Sequence, residues 1–344
     1  MKISYKFVCA VALGVWTLGL VLSLDAGPQP AGPSGYQLVK TIPIAGEGGW
    51  DYVAVDSDAR RIYISHATKV VVLNADSFAV AGEIPDTQGV HGIAIASDLG
   101  RGFTSNGRAG TATIFDLKTL KTIGTVKTGD NPDAIAYEPV SKRVYTFNGR
   151  SKDATAINAA DGSIVATIPL GGKPEFAAVD GKGKIFVNDE DTSELIEIDA
   201  QAAKEVHRWP LKPCESPSGL AMDQKDRRLF VGCENKMMAV VDADSGKVIA
   251  TPAIGEGVDA TAYDPGTGFA LASNGEGTLT VVKRDNDKYS VLENVPTKRS
   301  ARTMGLDLLT HNVVLPAADF LPPKEGERRG AMKPGSFVLL VVAR

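Results

Sequence analysis

A short apolar segment recurs seven times at a nearly constant interval, and this period restricts the fold more than any other feature of the 344 residues. The copies read WDYVAVD (50–56), VHGIAIA (90–96), PDAIAYE (132–138), PEFAAVD (174–180), PSGLAMD (217–223), VDATAYD (258–264) and RTMGLD (302–307). The second residue of each, with the first residue standing in for it in the last copy, gives the series Asp51, His91, Asp133, Glu175, Ser218, Asp259 and Arg302, at spacings of 40, 42, 42, 43, 41 and 43. Three positions further on stands Ala54, Ala94, Ala136, Ala178, Ala221, Ala262 or Gly305. A small side chain at the same place in every copy signals crowding where the copies converge.

Each copy continues with a second strand, such as RIYIS (61–65) or RVYTF (143–147). A third follows, such as VVVLN (70–74) or MAVVD (238–242), and a fourth, such as SIVATIPL (163–170). Asp161-Gly162 and Ser245-Gly246 are hairpin turns between third and fourth strands. Four antiparallel strands at a period of 40–43 residues predict a propeller blade, and seven copies predict an all-β, seven-bladed β-propeller. The seventh copy has segments near 303–308, 312–317 and 337–342 and then stops. Its missing strand is expected at the other end, where YQLVKTIPIAG (36–46) matches SIVATIPLGG (163–172). Residues 36–344 then form one domain, preceded by a linker over 27–35.

Residues 1–26 read as an export signal: Lys2 and Lys6 precede an apolar run from Phe7 to Leu22, and Ala26 offers a small-residue cleavage point. The competing reading is an uncleaved membrane anchor. Cleavage leaves a periplasmic or secreted chain with no stable membrane insertion. Its formal charge is 35 − 40 = −5, after loss of Lys2, Lys6 and Asp25. With no basic run, nucleic acid is excluded as a partner. Two cysteines remain, Cys214 and Cys233, and an even pair in an exported protein suggests a disulfide.

On the second strands stand the tetrads YISH (63–66), FTSN (103–106), YTFN (145–148), FVND (186–189), FVGC (230–233) and LASN (271–274). With the period, they give a chain that resembles the YVTN-type β-propeller repeat proteins over 36–344. The resemblance implies an exported or surface protein, with ligand-binding proteins and lactone hydrolases among relatives of the same architecture. The recurring Gly-His and Trp-Asp pairs of WD40 repeats are absent: no Gly-His occurs, and Trp-Asp occurs once, at Trp50-Asp51, where it opens a first strand.

Antiparallel order places the start of strand one and the end of strand two on the same rim. Two rings are therefore expected at the mouth of the central channel, the usual ligand site of a propeller. One is the marker series; the other is His66, Asn106, Asn148, Asp189, Cys233 and Asn274. Ligand contacts are expected from Trp50, Asp51, His91, Asp133, Glu175, Asp259 and Arg302. Converging carboxylates need a counter-charge. A divalent cation would supply it: calcium or magnesium on the oxygen set Asp133, Asn148, Glu175 and Asp189, or zinc through His66 and His91. The competing reading is a hydrated polar funnel without metal. A channel metal beside an imidazole would also suit a lactonase-like hydrolase, with His91 or His66 as the catalytic base. Cys214 and Cys233 fall on the same rim, either bridged or as thiol ligands beside a histidine. The segment 318–336, with Lys324, Arg328, Arg329 and Lys333, lies over the rim as a lid, a docking element or a tolerated insertion. HExxH, Gly-x-Ser-x-Gly, phosphate-loop and c-type haem motifs are absent. The sequence thus points to an exported propeller that binds a small ligand, a cation or a protein partner at the channel rim, or alternatively to a metal-dependent hydrolase.

Overall fold

The two ends of the chain pair with each other. In the computed structural model, which describes Met1 and residues 32–286, 288–324, 326 and 330–344, Gln37–Pro43 runs antiparallel to Val338–Ala343. Thr41 faces Leu340 and Pro43 faces Val338. This strand completes a sheet whose other members are Val313–Ala317 and Gly305–Leu306. Six further four-stranded antiparallel sheets follow in strict chain order, at 50–84, 90–127, 132–169, 174–210, 217–250 and 258–296. We number these blades one to six, and the closing sheet is blade seven. The seven-bladed, all-β expectation holds, and the N-terminal strand closes the ring. A 3-10 turn at Ser97–Leu99 is the one helical element among the described residues. The expected signal peptide, apart from Met1, and linker residues 27–31 lie outside the described residues. Ser34, expected in the linker, is already part of the fold: it is buried and donates to Glu293 of blade six. Among the described residues, no helix is long and apolar enough to cross a membrane.

Second and third strands carry the core. Their interiors, such as Ile62–Ile64, Val70–Leu73 and Ile185–Val187, are almost wholly buried, because each blade is covered by a neighbour on both faces. Fourth strands lie at the periphery and expose Val80, Ile123, Ile164 and Ile249. First strands touch one another around the axis. At Gly305, the glycine of the small-residue series, a Cβ would lie 2.8 Å from Val55, and at Gly219, two positions earlier in its own copy, one would lie 2.5 Å from the backbone nitrogen of Thr261.

Blades are also tied by polar contacts on the rim opposite the marker series. Arg61, Arg101 and Arg143 open the second strands of blades one to three. Each donates to backbone carbonyls in the next blade: Leu117, Ala159 with Ala160, and Ala200 with Gln201. Across the closure, Arg60 bonds Asp307 at 2.9 Å.

Cys214 and Cys233 form a disulfide, with Cα atoms 5.4 Å apart. This removes the alternative in which their thiols serve as ligands. The bridge ties the loop leaving blade four to the second strand of blade five.

Two outcomes test this architecture. Deleting residues 36–46 should abolish cooperative thermal unfolding in calorimetry, and an unchanged melting curve would contradict the closure. Reducing the bridge, which spans 19 residues, should lower the denaturant-derived stability by about 3 kcal/mol through loop entropy.

Candidate functional site at the channel mouth

Blades one to six each interrupt their first strand at the same place. The register with strand two shifts between Trp50 and Val53, Val90 and Ile93, Pro132 and Ile135, Pro174 and Ala177, Pro217 and Leu220, and Val258 and Ala260. Each interval contains the marker residue of its blade. A bulge re-aims a side chain that regular pleating would bury between sheets, and here it turns the marker side chains toward the axis. Their backbones are pinned by the preceding blade. Asp133 accepts from Ser105 through its carbonyl, Asp259 from Ser218 at 3.0 Å and Asp51 from Thr303 at 2.7 Å. Ser218 accepts from Asn188 at 2.9 Å, and Arg302 accepts from Ser273.

The markers meet as expected. Nδ1 of His91 lies 2.5 Å from Asp51 Oδ2 and 3.8 Å from Asp133 Oδ1. Asp51, His91 and Asp133 each offer a ligand atom within 4.8 Å of the others. Around the ring, Arg302 forms a close pair with Asp259 and lies 3.4 Å from Asp51, so the counter-charge is in place. Ser218 Oγ donates to Asp259 at 2.9 Å. Glu175 is held by Lys173, which also contacts Glu190.

The electrostatics follow from crowding in a partly dry bowl. Burial and the charge of Asp51 push Asp133 up to about 6. Burial and Asp133 push Glu175 up to about 9, with the protonated carboxyl donating a hydrogen bond to Glu190. Burial opposes a charge on His91, but the hydrogen bond to Asp51 and the nearby Asp133 raise its pKa overall. The site therefore holds protons in place of some of the negative charge that the sequence alone would assign to it.

The second expected ring does not reach the mouth. His66, Asn106, Asn148, Asp189, Cys233 and Asn274 are all buried. Asn106 and Asn274 donate to threonines of strand three, at Thr113 and Thr280, both 2.9 Å away. Asn148 donates to Asp153 at 2.6 Å and Thr155 at 2.9 Å. Asp189 accepts from Thr192 and lies 3.4 Å from Arg208. His66 stacks on Phe337 at 4.6 Å, and burial lowers its pKa. The physical reason is the connection between blades, which passes over these residues. A Cβ at Gly46 would meet His66 at 2.7 Å, one at Gly129 would meet Asn148 at 2.7 Å, and one at Gly172 would meet Asp189 at 2.1 Å. The tetrad's last residue is thus a clamp inside the blade. The oxygen set Asp133, Asn148, Glu175 and Asp189 is not assembled, and His66 does not join His91.

Trp50 is likewise covered, at 8% exposure, by Phe337 with ring centroids 5.1 Å apart and by Phe320 at 6.0 Å. It anchors the 318–336 segment instead of facing a ligand. Lys298 pairs with Asp319 of this segment at 2.6 Å, while Arg328 and Arg329 lie outside the described residues.

One feature of the site escaped sequence reasoning. Tyr52 and Phe176, from blades one and four, stack across the axis with centroids 4.3 Å apart. They form an aromatic floor directly beneath the markers, with the Tyr52 hydroxyl beside Asp133, Glu175 and Asp51. The available signal was the residue after each marker: it is Gly or Ala in most copies and aromatic in these two.

The ring geometry agrees with solved propellers of remote sequence. The chain is similar to Kuenenia stuttgartiensis hydrazine synthase, with TM-score 0.70 and 15% identity over 79% of this chain and 93% of that one. It is similar to U3-55K, with TM-score 0.74 and 12% identity over 92% and 100%. It is also similar to the RRP9 WD40 repeats, with TM-score 0.75 and 11% identity over 92% and 99%. At these identities the likeness shows the fold alone. No family model matches the chain, and no curated protein matches it in sequence.

A raised carboxylic pKa means that ionisation works against folding, so this penalty is absent below pH 3.8 and complete above about 6. Asp133→Asn should therefore stabilise the protein at pH 7.5 relative to pH 4, by at most about 3 kcal/mol. Denaturation at the two pH values measures the difference.

Proposed function

We propose that this chain is an exported β-propeller binding protein that holds a divalent cation, and through it a small ligand, at the channel mouth. The observation that carries the reading is the convergence of one imidazole and two carboxylates, from blades one, two and three, with donor atoms within 4.8 Å. The donor set decides among metals. An imidazole nitrogen with two carboxylate oxygens suits zinc or another first-row transition ion better than calcium, which prefers oxygen alone. Nδ1 is the His91 atom near both carboxylates, so a cation there would replace the proton now shared with Asp51. It would also relieve the repulsion that raises Asp133. Asp51, His91 and Asp133 would be the ligands, with Arg302 and Lys173 balancing the outer carboxylates.

Export is supported by the apolar leader, by the disulfide between the two cysteines of the expected mature chain, and by the resemblance to YVTN-type repeats. Binding is favoured over hydrolysis at this mouth. The free ring nitrogen of His91, Nε2, abuts Gly107, where a Cβ would lie 2.5 Å away. It is poorly placed to take a proton from a water in the bowl.

Calorimetric titration of the mature protein with zinc at pH 7.5 should give one site, and His91→Ala should weaken it at least a hundredfold. Glu175→Gln should retain it. Affinity should fall as pH drops through 6, where Asp133 gains its proton. The absence of a stoichiometric zinc site would overturn the proposal.

A further inference from the structure

Beside the ring, between blade six and the 318–336 segment, lies a cleft of about 680 Å³. Arg302 forms its inner edge, so the cleft opens onto the mouth. Phe320, Leu321, Pro322 and Pro323 form an apolar wall, on which Leu321 is 48% exposed. Arg299 stands at the opposite side with its side chain exposed. Among the described residues it makes no hydrogen bond or close ion pair. Glu256 feels its charge but is held by Lys236 at 2.9 Å. Asp319, the cleft's carboxylate, is likewise paired with Lys298.

The wall is held in place. Ser300 Oγ donates to the Ala318 carbonyl at 2.8 Å and accepts from the Ala318 amide at 3.1 Å. Leu321 and Lys333 donate across the segment to Ala331 and Asp319, at 2.9 and 2.8 Å. Phe320 is seated against Trp50. The cleft is therefore formed before any ligand arrives, which lowers the ordering cost of binding.

An exposed guanidinium that shares a cleft of this size with an apolar wall is complementary to a molecule with one anionic group and an apolar body. We propose that this cleft binds an amphipathic organic anion, with its carboxylate or sulfonate against Arg299 and its apolar body on Leu321 and the two prolines. The site uses neither His91 nor Asp133, so it stands or falls independently of the cation.

The test is a fluorescence titration of the full mature chain, in EDTA, with 8-anilinonaphthalene-1-sulfonate and with its uncharged counterpart N-phenyl-1-naphthylamine. The sulfonate should bind one saturable site at least tenfold more tightly than the neutral probe. Arg299→Glu should weaken the sulfonate at least tenfold, about 1.4 kcal/mol, with the neutral probe unaffected. Leu321→Asp should weaken both. Arg299→Gln provides a second variant, expected to fall between wild type and Arg299→Glu, should the charge reversal fail to fold. Zinc titration of the Arg299 variants should match wild type, which separates this site from the metal. Equal affinity for the two probes, no saturable site, or wild-type affinity in either Arg299 variant or in Leu321→Asp would overturn the proposal.

Discussion

The antiparallel pairing of Gln37–Pro43 with Val338–Ala343 is the constraint on which the other features rest. A ring of separate sheets is held shut only if its two ends are joined, and here they are joined inside one sheet. The sequence meets this requirement by giving its first strand the composition of a fourth strand. Closure then fixes the angle between successive blades, and this angle brings first strands close enough for Gly219 to lie against the backbone of its neighbour. Without it, Arg302 of blade seven could not reach Asp51 of blade one.

Closure alone would give a ring of buried alternating side chains. The strand irregularity at each marker converts that ring into a site. It occurs at the same position in six blades, while the residue it presents is aspartate in three of them and histidine, glutamate and serine in the others. The scaffold thus separates position from chemistry: hydroxyl and amide side chains of one blade hold the backbone of the next, and the marker side chain varies without disturbing it. This explains how one imidazole, four carboxylates and one serine occupy equivalent places.

The sequence revealed the architecture because period, small residues and turn dipeptides are local signals that repeat. It also revealed the marker ring, since antiparallel order fixes which strand ends share a rim. It misplaced the tetrad's final residues, His66, Asn148 and Asp189 among them, because rim position does not report burial. Whether a connection passes over a side chain depends on where the following blade lies, which is a tertiary property. The same limit hid the Tyr52–Phe176 contact. Two aromatic residues 124 positions apart become neighbours only when a sevenfold ring puts blades one and four on opposing sides. Trp50 was read as a ligand platform because it adjoins Asp51, but neighbours along a strand face opposite ways, and its ring turned into the seam under Phe337.

The aromatic pair also sets the character of the bowl. A propeller is often pictured as a tube of uniform polarity, yet here Tyr52 and Phe176 stack across the axis beside the carboxylates, with ring centroids 4.3 Å apart. The bowl is therefore charged at its lip and apolar at its base, and these two environments lie within one side-chain length of each other.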